Sequence, residues 1–558
     1  MKTISKKIAP LRPHLVTASW LHQRLQGTDI LLLDASPTPH YLTAHIPGAI
    51  SVSFPEDESM SQGVSVSYGG GGDYFFEVDA ACAWHEAPDT TFEKAYRLWG
   101  VSPDKTIVLC DMGGTIFATR LFFSLCFHGF PLKNIFLLDG GLHQWQAQGF
   151  PVTSTVGVPR KQGDFRITRK RRNLRSYLPE IVEASGDPTR HALVEGLLPA
   201  WHTGAYPAYS KAGHIPHAIS LPYTEFYNED KTFKSDVAVR RMLRHLQIRP
   251  TQRIHTHCGG GIAGSVPFFA IRFLAGYPDV RHFIESQVAY LNDSRDLAFW
   301  TYDAPYRLRD TAWLQWWGGQ RTRTLGSVQV SIIDVRTPRA FRAGHIPFSL
   351  NVPITSLMAC MQDAQALGAL LGKAGVNPRH EAVIVSGDGA DKQAMLAALI
   401  LDNVGHKKVS VFSQTLAQWQ TEGYPVTDKP TVVAPKKLRF DLAIPPVVYQ
   451  ARPTSQRIIR QRSDSRGLYS KLIIESGPKV SARTATAGSE RCVHLPASTC
   501  FSPDGGVKSA AEITAKLDAH GIHRFAEIIT TAKDPADAAA LYFVLRLLGY
   551  PDVKVWIG

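Results

Sequence analysis

The run Ile254-His255-Thr256-His257-Cys258-Gly259-Gly260-Gly261-Ile262-Ala263-Gly264-Ser265 is the stretch of this chain best suited to covalent chemistry. A strand-like segment ends in a thiol and three glycines follow. The apolar spacing of Val266-Pro267-Phe268-Phe269-Ala270-Ile271-Arg272-Phe273-Leu274 then predicts a helix that stops near Gly276. Cys258 is therefore expected where a strand hands over to a helix. There the backbone N–H groups of Gly259, Gly260, Gly261, Ile262, Ala263 and Gly264 would form a concave cradle, and the helix would add partial positive charge. Such a place should hold a thiolate or an oxyanion, and the thiol is expected to ionise readily, its pKa falling from about 8.5 to roughly 3.5–7.5. His255 and His257 share one strand face by alternation, which allows metal ligation. Packing under a flanking helix is the expectation, and no metal is assigned. There is no Gly-Lys-[Ser/Thr] and no Gly-x-Gly-x-x-Gly opening a helix, so no nucleotide cofactor is expected.

The elements that must position this loop recur along the chain. A His-[Ile/Leu]-Pro element occurs at His45-Ile46-Pro47, His214-Ile215-Pro216, His345-Ile346-Pro347 and, more weakly, His494-Leu495-Pro496. Short apolar runs precede each copy (30–34, 192–195, 330–334 and 446–450), and second runs follow (106–109, 253–256, 382–385 and 527–530). An apolar helix ending at Gly129, Gly276, Gly405 or Gly549 comes next. Strands alternating with helices at this spacing predict a parallel α/β sheet in each copy. Ligands bind beyond the carboxyl ends of such strands, where these loops fall.

Aligning the copies places Cys110, Cys258, Ser386 and Thr530 at the thiol position. The first loop is longer and begins with Asp111, whose charge opposes thiolate formation, so Cys110 is not expected to be the nucleophile. The third and fourth copies have no thiol there and no evident base to activate a hydroxyl.

The loop Cys258-Gly259-Gly260-Gly261-Ile262-Ala263, with Ala212-Gly213-His214-Ile215-Pro216-His217-Ala218-Ile219 upstream, resembles the rhodanese family of sulfurtransferases. It is nearer the loop of the 3-mercaptopyruvate enzymes than that of the thiosulfate enzymes. It departs from the family at Gly260, where a hydroxyl residue is the pattern, and at Glu195-Gly196-Leu197, where Asp-x-Arg is the pattern. The resemblance implies four tandem rhodanese-like α/β domains: 1–160 with its atypical loop at Cys110, 161–308 with catalytic Cys258, 309–432 without a cysteine, and 433–558, degenerate. It also implies a ping-pong reaction in which Cys258 takes a sulfane sulfur from thiosulfate or 3-mercaptopyruvate. A thiol or cyanide would then remove it, with no cofactor. A Cys-x5-Arg phosphatase needs an arginine where Gly264 and Ile116 stand. A non-catalytic or sulfur-sensing scaffold is the other reading.

Bulk properties agree with this class. The 558 residues, 44% of them apolar, suffice for several cores. Seven scattered cysteines without Cys-x-x-Cys fit neither a disulfide framework nor a zinc site. No run reaches the roughly 18 apolar residues of a membrane span, and residues 1–10 lack the apolar core of a signal peptide, so a cytoplasmic location is expected. The net charge of +13 favours anionic partners. The basic stretch 160–175 is read as a solvated linker, not a nucleic-acid site. The aromatic segments 300–306 and 313–317 are expected to pack between modules, and the glycine run 69–72 beside aromatics is expected to be a surface loop or a lid.

Overall fold

The computed structural model describes residues 12–25, 27, 29–52, 76–77, 85–86, 88–206, 210–432, 447–449, 471–479 and 491–557. The loop expected at 69–72 lies outside these residues. The chain divides into two compact units, Met1–Trp300 and Thr301–Gly558. No helix among the described residues is long and apolar enough to cross a membrane.

In the first unit, one sheet runs Leu15–Val16, Ile135–Leu138, Thr106–Cys110, Ile30–Asp34, Ile50–Ser51, every pair parallel. A second runs Val280–His282, Arg253–His257, His191–Glu195, Ala218–Ser220, also parallel. Arg175 pairs with His282 on its outer edge, continuing the sheet toward the linker. The helix Phe117–Phe127 is buried along nearly its whole length, as a helix covered on both sides must be. It meets the Ser265–Phe269 helix and its π-helical continuation Ala270–Leu274. Phe122 stands edge-on to Phe269 and Phe273, and Phe123 to Phe268, with centroids 4.9, 5.3 and 5.0 Å apart. These edge-to-face rings lock the two halves of the unit together.

The second unit repeats the plan. One sheet runs Leu308–Arg309, Val409–Phe412, Glu381–Val385, Val330–Asp334, Leu350–Asn351, and the other Val448–Tyr449, Val553–Trp556, Ile528–Thr531, Leu472–Glu475, Arg491–His494. A single apolar core spans both. Its centre is the helix pair Lys392–Asn403 and Pro535–Leu547, capped by the Asp391 and Asp534 side chains. Lys392 Nζ bridges Asp534 and Asp537 at 2.6 and 3.2 Å.

Three of the His-Ile-Pro elements serve as folding pins. His45 Nδ1 bonds the Tyr41 carbonyl (2.6 Å), His214 Nδ1 that of His202 (2.7 Å) and His345 Nδ1 that of Phe341 (2.8 Å). Each ring lies flat on the ring of the same partner, 3.7, 3.6 and 3.6 Å between centroids.

The fourth copy is different. The strand that matches the first run of the other copies is Leu472–Glu475, one in from an edge, whereas the Val448–Tyr449 run, read from sequence as that strand, forms the opposite sheet edge. His494-Leu495-Pro496 likewise falls one element later than the other three copies. Leu495 N–H donates to the Glu475 carbonyl (3.0 Å) just as Leu221 does to Glu195 (3.0 Å) and Val352 to Asp334 (2.9 Å). The expectation for 313–317 also needs correction. Leu314 enters the core at 1% exposure, but Trp316 and Trp317 are half exposed.

Candidate active site

In each sheet the strand one in from an edge ends in a buried acid, Asp34, Glu195, Asp334 or Glu475. That acid fixes the register of its neighbour. Asp34 pairs with Cys110, Glu195 with His257, Asp334 with Val385 and Glu475 with Thr531. The position after the strand is therefore Asp111, Cys258, Ser386 and Ala532. Cys110 is the counterpart of His257 and lies one residue short of the loop, and the fourth counterpart is Ala532 in place of Thr530. Cys110 is fully buried, and burial together with the Asp34 and Asp111 carboxylates pushes its thiol well up.

Asp111 fills its own loop. Its carboxylate accepts the N–H groups of Gly113 (2.8 Å) and Ala118 (3.1 Å). The anion-holding amides of the first loop are thus occupied by a side chain of the loop itself.

Cys258 sits at the opening of the second loop. Its Sγ accepts the Gly261 N–H at 3.0 Å. Gly261 holds φ +82, and a side chain there would overlap the Ile284 carbonyl oxygen. A Cβ on Gly264 would lie 2.8 Å from the His257 carbonyl carbon and 2.9 Å from His282 Cε1. These glycines permit the close wrap of backbone around sulfur. His282 braces the loop, its Nε2 at 2.9 Å from the Gly261 carbonyl and its Nδ1 at 3.1 Å from that of Thr256. Burial pushes the ring pKa down to about 3, so the ring is neutral.

Sequence reasoning missed the segment that closes the loop. Ser286, at φ 51, opens the helix Ser286–Leu291. Its Oγ accepts the Cys258 N–H (3.1 Å), donates to the Phe283 carbonyl (2.8 Å) and stands 3.9 Å from Cys258 Sγ. It brings a hydroxyl to the loop from another element, where Gly260 supplies none. Gln287 N–H donates to the Cys258 carbonyl at 3.1 Å, and its side-chain amide to Glu195. Glu195 also accepts His202 Nδ1. Burial raises the Glu195 carboxyl, but the His202, His257 and His214 rings around it together more than offset this and hold it below the ordinary range. Leu197 and Ala263 cluster with Cys258, and Ile116, Trp201 and Tyr223 pack against that cluster. Nothing in the periodicity marks these residues, because they come from four separate segments.

The cradle does not make the thiol acidic. Cys258 is 2% exposed, and burial pushes its pKa up against the opposing pull of the Gly264, Gly261 and Gly260 amides and of Ser286. The sequence-based expectation of a ready thiolate is therefore not met, because desolvation of the charge outweighs the amide dipoles. His255 is engaged elsewhere. Its Nδ1 bonds Ser176 Oγ at 2.6 Å and its Nε2 bonds His191 at 3.0 Å, so both nitrogens are taken by packing contacts, and no metal role is left for them.

Comparison with known proteins adds the following. A rhodanese-like domain model matches residues 17–148 and 322–422. Over 283 residues the chain is 25% identical to the sulfur carrier protein TtuD of Thermus thermophilus, covering 48% of this chain and 90% of that protein. It is 30% identical over 292 residues to a probable 3-mercaptopyruvate sulfurtransferase of Pseudomonas aeruginosa, covering 50% of this chain and 96% of that protein. Among solved structures, SseA from Escherichia coli, a 3-mercaptopyruvate sulfotransferase, is 22% identical with a TM-score of 0.41, covering 49% of this chain and 98% of that one.

Proposed function

Since the chain belongs to the rhodanese-like sulfurtransferase family, we propose that it moves sulfane sulfur through a persulfide on Cys258, each of the four sheets with its helices being one module near the boundaries 160, 308 and 432. The observation that carries this reading is the placement of Cys258. It is the one cysteine among the four loop positions, with a backbone amide aimed at its sulfur and a hydroxyl within reach.

The Cys258 thiolate attacks the outer sulfur of thiosulfate, whose S–S bond breaks to release sulfite, or the thiol sulfur of 3-mercaptopyruvate, whose C–S bond breaks to release an enolate that takes the thiol proton and leaves as pyruvate. The new S–S⁻ group stays charged against the loop amides. Cyanide or a thiol then removes the outer sulfur and returns the thiolate. The residues of the loop, Gly259, Gly260, Gly261, Ile262, Ala263 and Gly264, hold the charge through their backbone. Cys258 itself bonds and releases sulfur. No cofactor takes part in these steps.

The reading is tested by treating the protein with each donor and locating added sulfur by mass spectrometry. A single extra sulfur on the peptide containing Cys258 supports it. A binding scaffold without turnover is the second reading, favoured by the deep burial and raised pKa of Cys258. It takes over if neither donor loads any cysteine.

A further inference from the structure

Resting on the reading of Cys258 as the sulfur carrier, we infer that its donor is an organic hydropersulfide with an apolar body, R–S–SH, in preference to a compact dianion such as thiosulfate. The wall facing the thiol carries the argument. Leu197 and Ala263 form a buried cluster with Cys258, and Ile116, Trp201 and Tyr223 cover it. The first of these stands where the chain has elsewhere kept a cation.

In the third sheet the buried acid Asp334 is followed at the second place by Arg336, in the second sheet Glu195 by Leu197. Arg336 Nε and Nη2 bond the Asp334 carboxylate at 3.0 and 2.6 Å. Its Cδ lies so near the loop that a Cβ on Gly387 would come within 2.8 Å of it. A cation therefore stands over the loop in that sheet. In the second sheet the acid is satisfied from other directions, by His202 and Gln287. The place beside the loop is given to a leucine, which packs on the sulfur. No charged side chain is among the groups that act most strongly on the Cys258 thiol, which are backbone amides and Ser286.

A doubly charged donor meeting this wall would give up its hydration against Leu197, Trp201 and Tyr223, where the third sheet would offer it Arg336. An aliphatic or aromatic body would instead gain by leaving water against Leu197, Trp201 and Tyr223. The loop amides remain available for the one negative charge the reaction creates. In the transfer, the Cys258 thiolate attacks the terminal sulfur of R–S–SH and the donor S–S bond breaks. A Cys258 Sγ–S bond forms, and the terminal proton passes to the departing RS⁻. The products are R–SH and the Cys258 persulfide anion.

The full-length protein is mixed in turn with benzyl hydropersulfide, glutathione hydropersulfide and thiosulfate, and sulfur on Cys258 is followed by quenched-time mass spectrometry. Each rate is divided by that of a free alkyl thiol with the same donor. Benzyl hydropersulfide is expected to load Cys258 at least tenfold faster, on this scale, than either polar donor. Leu197→Arg is expected to reduce that preference at least tenfold. Trp201→Ala, which removes wall without adding charge, should lower the ratio of the benzyl rate to the thiosulfate rate several-fold. Equal or faster loading by thiosulfate or glutathione hydropersulfide in the wild type overturns the donor class while leaving Cys258 as the carrier. Absence of sulfur on Cys258 with all three donors overturns the carrier reading too.

Discussion

Replacing Ser286 tests how the site makes its thiolate. The hydroxyl stands 3.9 Å from Cys258 Sγ and donates to the Phe283 carbonyl at 2.8 Å, so its single proton turns to the sulfur only by leaving that carbonyl. A hydrogen bond to a charged group contributes about 1.5–3 kcal/mol. The long resting distance puts this one at the low end, about 1.5 kcal/mol, which corresponds to roughly one pKa unit. Ser286→Ala should therefore raise the Cys258 pKa by about one unit and slow alkylation by iodoacetamide about tenfold at any pH below it.

Stability separates this effect from simple damage. Ser286 has φ 51, a left-handed conformation that costs a residue with a Cβ about 1 kcal/mol. Both variants leave the buried Cys258 N–H without its Ser286 acceptor, a loss of about 1–3 kcal/mol. Ser286→Gly removes the strain as well and should be about 1 kcal/mol more stable than Ser286→Ala in denaturant unfolding, with the same thiol pKa. If the alanine variant keeps the wild-type alkylation profile, the hydroxyl plays no part in ionising Cys258 and the reasoning fails.

Cys258→Ser should abolish thiocyanate formation from either donor plus cyanide, whereas Cys110→Ser, one residue short of the loop and with its thiol pKa pushed well up, should leave most of the activity; added sulfur on the Cys110 peptide would refute the register argument. Gly261→Ala must turn the peptide that points its N–H at Cys258 Sγ, because of φ +82 and the Ile284 carbonyl, and a lost donor of this kind costs about 10²–10³ in kcat; wild-type kcat in a folded variant would show that the amide is not needed. Because burial raises the Cys258 pKa, the loading rate should keep climbing with pH beyond the ordinary thiol value of about 8.5, the thiolate being the reacting form and present only above the raised pKa. A stopped-flow profile that levels off below pH 8 would contradict this.

The strands and the strand-to-helix turn at Cys258 were legible because apolar runs and glycines report local geometry. Register was not. Cys110 and Asp111 both sit at the end of an apolar run, and the one-residue difference appears only when Asp34 is seen opposite Cys110 while Glu195 faces His257. In the fourth copy, the short apolar run at Val448–Tyr449 stood out in the sequence while the interior strand Leu472–Glu475 lay amid polar residues. Composition thus favoured an edge strand over an interior one. The thiol's ionisation was misjudged for a related reason. Glycine amides are visible in a sequence, but the covering side chains of Leu197, Trp201, Tyr223 and Ile116 come from three distant segments, and their desolvation decides the sign.

The carboxylate of Asp111 makes the first loop self-liganded. Its amides are engaged by a side chain of their own loop, which is thereby closed on itself. In the proposed reaction the Cys258 loop would hold a thiol, a thiolate and a persulfide anion in turn. Ile116, five residues beyond Asp111, packs on the Cys258 cluster, and Tyr227 Oη bonds the Thr115 carbonyl at 2.7 Å. The self-liganded loop thereby forms part of the wall on which the Cys258 cluster rests.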